Sequence, residues 1–342
     1  MKAFAFIKLL AILSIIMLLG CSVPESSPAS RVKLSESGVY AADISRDGTK
    51  AIISEVNGAI RVWDLNNDVP LYLWQHQGDE RNLVDNVRFS PDDAFAITSD
   101  SEAFALWSLE NGEPLGFWRI DESSIQDIAL SNSASSVLIA RSNGQVMYFE
   151  PQTQRRLEFL GHGEDKVNSV DLSANGKYAL TGGNDYKAYL WSTETGQVIH
   201  VFQHPQRVTR VKLDQQARYA FTADGQNDAQ IWDVQTGKAV SQLKFIERQI
   251  IFTSAEFSDD GKYLLTGSPS KRLMLWDVES GESVQQWRVK PSDGPAPQSA
   301  VVYAVGFDHG STEETKRFAS SISSAGNFAK WDISSQDVRG HK

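Results

Sequence analysis

Apolar and polar residues alternate in short runs along most of the chain. Val87-Arg88-Phe89, Val170-Asp171-Leu172 and Ala255-Glu256-Phe257 each hold one polar residue between two apolar ones. A serine and a turn sequence follow directly, as in Ser90-Pro91-Asp92 or Ser173-Ala174-Asn175-Gly176. Period-two alternation buries one face of a β-strand, and Asp, Asn and Gly supply the reversal after it. A second apolar run comes next, such as Tyr178-Ala179-Leu180-Thr181 or Tyr263-Leu264-Leu265-Thr266. The third run ends on an aromatic, as in Leu273-Met274-Leu275-Trp276. A Thr-Gly or Ser-Gly turn (Thr195-Gly196, Thr236-Gly237, Ser280-Gly281) then opens a fourth. The unit is four strands long.

That unit repeats. Its marker recurs as Trp63-Asp64, Trp107-Ser108, Phe149-Glu150, Trp191-Ser192, Trp232-Asp233, Trp276-Asp277 and Trp331-Asp332. The spacings are 44, 42, 42, 41, 44 and 55 residues, so only the last unit carries an insertion. Four-stranded units at this period are the blades of a propeller. The pattern predicts an all-β fold, a seven-bladed β-propeller of four-stranded antiparallel blades. The chain ends soon after Ala329-Lys330-Trp331, so the seventh blade lacks its outermost strand. Arg31-Val32-Lys33-Leu34 has no blade of its own. The N-terminal strand is therefore expected to join the last blade and close the ring, which also covers sheet edges.

These repeats resemble the WD-repeat family over about Arg31 to Ile333. Trp-Asp is kept in four of seven units, and the third unit, with Phe149-Glu150, departs furthest. The Gly-His pair that opens a repeat is complete only at Gly161-His162, while His76 and His204 keep the histidine alone. The resemblance implies a structural hydrogen-bonded tetrad of His162, Thr181, Asp185 and Trp191. A catalytic reading of the same residues lacks an oxyanion hole and an exposed nucleophile. It also implies a rigid platform that binds protein partners through the loops of its top face.

Charge and chemistry narrow the function. The 342 residues carry 33 Lys and Arg against 43 Asp and Glu, a formal charge of −10 that repels nucleic-acid phosphates. No nucleic-acid partner is expected. There is one cysteine, so neither an internal disulfide nor a cysteine metal site can form. The six histidines form no HExxH pattern, and Gly182-Gly183 and Gly225 sit in turns rather than a phosphate loop. The sequence points to no catalytic residue, no metal and no cofactor. Trp74, Trp118 and Trp287 fall on fourth strands, where packing is their expected role. The stretch from Trp276-Asp277 through Ser280-Gly281 to Trp287 resembles, with longer spacing, the tryptophan docking motif of quinoprotein propellers. A quinoprotein-like enzyme, or a binder of a small molecule or glycan in the central channel, is thus the alternative reading.

The N-terminus reads as an address. Lys2 and Lys8 precede an apolar run from Leu9 to Leu19, and Gly20-Cys21-Ser22 follows. That is the layout of an export signal, and the run is short of the ~20 apolar residues of a membrane span. Leu18-Leu19-Gly20-Cys21 resembles the bacterial lipobox, in which the cysteine thiol accepts diacylglycerol. Residues 1–20 are then a signal peptide, 21–30 a lipidated cysteine and tether, and 31–342 the propeller. In that family Ser22 implies sorting to the outer membrane, facing the periplasm.

The binding candidates lie in top-face loops. The early blades offer acidic residues, Asp79, Glu80, Asp121, Glu122, Glu164 and Asp165, beside Arg81. The later blades offer Arg207, Arg248, Lys271 and Arg272, with Tyr186 as the aromatic anchor. The expected function is that of a monomeric, membrane-anchored scaffold binding one or more cell-envelope proteins, its only membrane contact being the lipid.

Overall fold

A computed structural model describes residues 27–76, 83–121, 123–245, 251–291, 300–308 and 317–334. Among them, twenty-eight strands pair into seven four-stranded antiparallel sheets. Each sheet is one blade. Blade 4 is typical, built from Val167–Leu172, Tyr178–Gly183, Lys187–Ser192 and Val198–Gln203, from the channel outwards. The turns between strands fall where the sequence places Gly or Asn. Gly176, at φ +69°, closes the first turn of blade 4 in a conformation that other residues adopt at a cost.

The seventh blade closes the ring. Val302–Asp308, Phe318–Ser323 and Asn327–Asp332 take as outermost strand the N-terminal Ser30–Lys33. The register runs from Ser30 opposite Lys330 to Lys33 opposite Asn327. Pairing starts earlier still, because the Ala29 N–H donates to the Lys330 carbonyl at 2.7 Å. Leu34 is buried with Ile53, Ile322 and Phe328, which joins blade 7 to blade 1. Cys21 and the export signal lie outside the described residues.

Aromatic stacking fills the gaps between neighbouring blades. Trp74 of blade 1 stacks on Trp107 of blade 2 at 4.6 Å, and Trp287 of blade 6 lies 5.9 Å from Trp331 of blade 7. Trp118 of blade 2 meets Phe149 of blade 3 edge-on at 5.6 Å. The three fourth-strand tryptophans therefore pack between blades, an arrangement that adds to area burial.

The innermost strand of each blade is a sheet edge with unpaired N–H groups facing the channel, and these need acceptors. Side chains of the preceding blade supply them. Asp43 of blade 1 accepts from Phe89 N of blade 2 at 2.8 Å, and Asp171 of blade 4 accepts from Leu213 N of blade 5 at 2.7 Å. Asp127 of blade 3 accepts from Val170 N at 3.1 Å, and Ser169 Oγ from Val211 N at 3.2 Å. Asp43, Asp127, Ser169 and Asp171 are thus stitches to a neighbouring blade.

Candidate functional site

Blade 4 brings His162, Thr181, Asp185 and Trp191 together. His162 Nδ1 lies 2.8 Å from Asp185 Oδ1 and Nε2 lies 2.8 Å from Thr181 Oγ1. The Trp191 indole N–H donates to the same Thr181 oxygen at 2.9 Å. His162 arrives on the loop entering the blade, Thr181 on its second strand, Asp185 in the turn above and Trp191 on its third strand. Burial pushes the Asp185 carboxyl up, but the His162 contact and charge and the Tyr189 hydroxyl outweigh it and hold it below its ordinary value. Burial, then the Asp185 charge, push Tyr189 up to about 12, so its hydroxyl remains a donor. Thr181 is fully buried beneath the indole. The set fastens the entry loop to the blade.

Two further sets of this kind were not read from the sequence, which left His76 and His204 without partners. His204 Nε2 lies 2.8 Å from Thr222 Oγ1, its Nδ1 lies 2.9 Å from Asp228, and Trp232 donates to Thr222 at 2.8 Å. His76 Nδ1 lies 3.1 Å from Asp100, but its Nε2 meets the carbonyl of Thr98, whose hydroxyl accepts from Trp107. The signal was present but displaced. The carboxylate stands two, four and six residues after the threonine in blades 2, 4 and 5, because the turn above each blade takes a different path. Asp100 does two jobs, since its Oδ1 also accepts from the Glu102 and Ala103 N–H groups. In blade 5 the jobs are divided: Asp224 takes the turn N–H groups of Gln226 and Asp228, and Asp228 takes the histidine. His204, Asp224 and Asp228 bring donor atoms within 4.8 Å of one another, a set of types that suits a divalent cation. The turn and tetrad contacts already account for the whole arrangement.

Above these sets lies the top face. Asn184 N donates to Lys166 O, His204 N to Tyr186 O, and Gly225 N to Arg207 O, which tie entry loops to the turns of blades 4 and 5. Asp165, Tyr186 and Arg207 are exposed on these tied segments, Tyr186 and Arg207 on neighbouring ones. Tyr186 holds φ +66° with 47% of its surface exposed. Lys271 stands at the equivalent turn position of blade 6, at φ +67°, with Arg272 beside it, and both are half-buried. Glu80, Arg81, Glu122 and Arg248 lie outside the described residues.

The sequence reading also missed the apolar part of this face. Among the described residues, fourteen large hydrophobic side chains are exposed. Eight sit on the outermost strands of blades 1, 2 and 4. The other six, Tyr40, Val56, Leu83, Leu160, Tyr186 and Ile251, all sit at the top end of the ring, in entry loops, turns or the first residues of an innermost strand. Leu160 is 75% exposed. None of the fourteen lies in a bottom turn.

Comparison with known proteins agrees with the repeat unit. Residues 153–192 and 243–277 match the family described as WD domain, G-beta repeat. The first stretch takes the outermost strand of blade 3 with the three inner strands of blade 4, so the sequence repeat is offset from the blade. Over 163 residues the chain is 23% identical to WD repeat-containing protein SL1-17 of Schistosoma mansoni, covering 47% of this chain and 53% of that protein. Over 179 residues it is 21% identical to cilia- and flagella-associated protein 52 of Sus scrofa, covering 51% and 28%. Over 165 residues it is 23% identical to SEC12-like protein 1 of Arabidopsis thaliana, covering 46% and 40%. The chain spans about half or less of each of these relatives. The similarity supports a WD-repeat propeller, a type of protein that typically mediates protein–protein interactions.

Proposed function

We propose that the chain is a lipid-anchored scaffold of the bacterial cell envelope that binds one or more envelope proteins through its top face. One observation carries the binding part: apart from the outermost strands, the exposed large hydrophobics gather at that end of the ring. Exposed apolar groups ringed by charge mark interaction sites, and recognition residues sit disproportionately on loops held by a rigid frame. Tyr186 supplies an aromatic anchor held in a left-handed backbone, with Arg207 exposed on the segment tied to it through His204 and Asp165 exposed on the entry loop of the same blade. Aromatic and arginine side chains dominate interface energies, whereas flanking charges mainly set orientation and association rate. The anchor rests on Leu18-Leu19-Gly20-Cys21, and the outer-membrane, periplasm-facing location rests on Ser22.

The test is a crosslinked pull-down from envelopes, normalised for folded protein. Tyr186→Ala combined with Arg207→Glu should weaken partner capture by about tenfold or more, on the scale of a ~2 kcal/mol anchor. Lys177→Glu, in an exposed bottom turn, should leave capture unchanged. Equal recovery of the two variants removes the top face from consideration. Wild-type protein with no lipid on Cys21 by mass spectrometry removes the anchor and leaves the binding face to be judged separately.

A further inference from the structure

The outer rim of the ring is unevenly apolar. The outermost strand of blade 1 exposes Val69, Leu71 and Leu73, and that of blade 2 exposes Leu115 and Phe117. The same strand of blade 3 exposes Arg156 and Glu158, and that of blade 6 exposes Ser283, Gln286 and Arg288. Packing between blades explains only half of the apolar strands. The Tyr72 hydroxyl donates to the Leu109 carbonyl of blade 2 at 3.2 Å, and Trp74 stacks on Trp107 of the same blade. Side chains alternate along a strand, so Leu73 faces away from that gap and is 60% exposed. Trp118 packs likewise on Phe149 of blade 3, and Phe117 faces back toward blade 1.

The N-terminal segment reaches the ring beside this strip. Ser30 pairs with Lys330 and Lys33 with Asn327, so the chain enters the outermost strand of blade 7 from the bottom end of the rim. Cys21 and Ser30 are nine residues apart, which is roughly 30 Å at full extension. Acyl chains on Cys21 therefore keep this part of the rim within about 30 Å of the bilayer that holds them. Blades 6 and 1 flank blade 7 in the closed ring. The flanking outermost strand of blade 6 is polar, and that of blade 1 is apolar.

Blade 4 also exposes Val198, Ile199 and Val201, but it stands three blades from blade 7, on the far side of the ring. The position of the tether is what distinguishes blades 1 and 2. The bottom turns that border their strip carry exposed Asp68, Glu110 and Glu113. Attraction to anionic headgroups is therefore not what would hold the strip, and its partner must be recognised by apolar contact.

We propose that the outermost strands of blades 1 and 2 rest edge-on against the lipid bilayer, a second membrane contact beside the lipid on Cys21. The proposal rests on the anchor read from Leu18-Leu19-Gly20-Cys21. Apolar side chains at a membrane surface settle about 5–10 Å into the boundary between headgroups and acyl chains, and a contact of this kind adds to the hold of a lipid anchor. An edge-on ring leaves the top face open to protein partners.

The test uses the full-length, processed protein in vesicles of phosphatidylethanolamine and phosphatidylcholine that contain a nitroxide-bearing phosphatidylcholine. A fluorescent label is placed on Leu73→Cys or, as control, on Val201→Cys, both at exposed positions. Lipid quenching should be about threefold or more stronger at position 73 than at position 201, as expected for a group inside the headgroup boundary. Leu71→Glu combined with Leu73→Glu should lower the quenching of a label on Leu115→Cys by a similar factor. Mass spectrometry of lipid on Cys21 in the same samples separates the two readings. Lipidated protein with equal quenching at 73 and 201, or with quenching at 115 unchanged by the glutamates, overturns the rim contact and leaves the anchor standing. Leu73→Cys copies that crosslink to one another without lipid quenching assign the strip to a second copy of the chain and overturn it as well. Protein without lipid removes the anchor and this proposal with it.

Discussion

Blades 3 and 4 are neighbours in the ring and reach the same four-stranded sheet by opposite means. Blade 4 fastens its entry loop with the buried polar set His162, Thr181, Asp185 and Trp191. Blade 3 has none of these. Its second strand, Val137–Arg141, is buried along its whole length, and Phe149 replaces the tryptophan. Phe149 packs edge-on to Phe104 at 6.2 Å and to Trp118 at 5.6 Å, and the Arg156 guanidinium lies 5.3 Å from its ring centre. Both blades keep an ordinary antiparallel register. Apolar burial at the blade period therefore makes the blade. The tetrad is a local fastener that a blade can lack when packing replaces it.

If that is right, the largest loss should come from the apolar blade. Phe149→Ala removes a buried ring from between blades 2 and 3 and should cost about 3–5 kcal/mol, the usual range for such truncations. His162→Ala leaves Thr181 and Asp185 without one partner each and should cost about 1–3 kcal/mol. Urea unfolding of both variants checks the order. A His162 variant less stable than the Phe149 variant would make the tetrad, rather than burial, the main support of its blade.

A pH series sharpens the same contrast. The Asp185 carboxyl is held below its ordinary value, so its ionised form favours the fold. Such a group contributes stability above the unfolded value of about 3.9, and that contribution is lost as pH falls through the lower folded value. The stability gap between wild type and Asp185→Asn should therefore narrow as the medium is acidified below about pH 4. A gap that stays constant down to pH 2 would mean that the carboxylate is not fastened by ionic hydrogen bonds. Blade 3 offers no equivalent carboxylate in its upper turn, so the Phe149→Ala deficit should show no such closing.

How much of this was legible depended on whether a feature kept its spacing. The aromatic marker recurs at a nearly fixed period and gave seven blades; the closing strand, expected at Arg31–Leu34 because the last blade was one strand short, lies at Ser30–Lys33. The blade 4 tetrad was legible because Asp185 stands where the family pattern places it. Asp100 and Asp228 reach their histidines from turns of other lengths, and a fixed offset passes over them. The channel was illegible for another reason. The polar residue in Val87-Arg88-Phe89 reads as the solvent half of an alternating strand, whereas innermost strands turn that half toward other blades. Arg210 of blade 5 and Asp127 of blade 3 are 83 residues apart in sequence, and the packing of innermost strands around the channel brings their charged groups to 3.7 Å. The exposed Leu160 and Ile251 look in sequence like the ends of buried strands, and their exposure follows from loop paths that composition does not encode.

The smallest expected effect concerns the two closing blades. In blades 2, 4, 5 and 6 the marker indole donates to a threonine hydroxyl, with Trp107, Trp191, Trp232 and Trp276 reaching Thr98, Thr181, Thr222 and Thr266 at 2.8–2.9 Å. Blade 7 carries a serine there, Ser321 before Trp331, and blade 1 an isoleucine, Ile53 before Trp63. The Ser321 hydroxyl and the Trp63 and Trp331 indole nitrogens are buried without a hydrogen-bond partner among the described residues. Serine lacks the γ-methyl that restricts the threonine side chain to few rotamers, so its hydroxyl is not steered toward the indole. Removing a buried hydroxyl that has no partner is close to neutral or stabilising, because its desolvation is already uncompensated. Ser321→Ala should thus change stability by less than about 0.5 kcal/mol, whereas Thr181→Ala, which strands Trp191 and His162 together, should cost about 1–3 kcal/mol. Paired urea titrations measure the difference. A Ser321 variant as damaging as the Thr181 variant would show that its hydroxyl is paired in solution, and that blade 7 is fastened as blade 4 is.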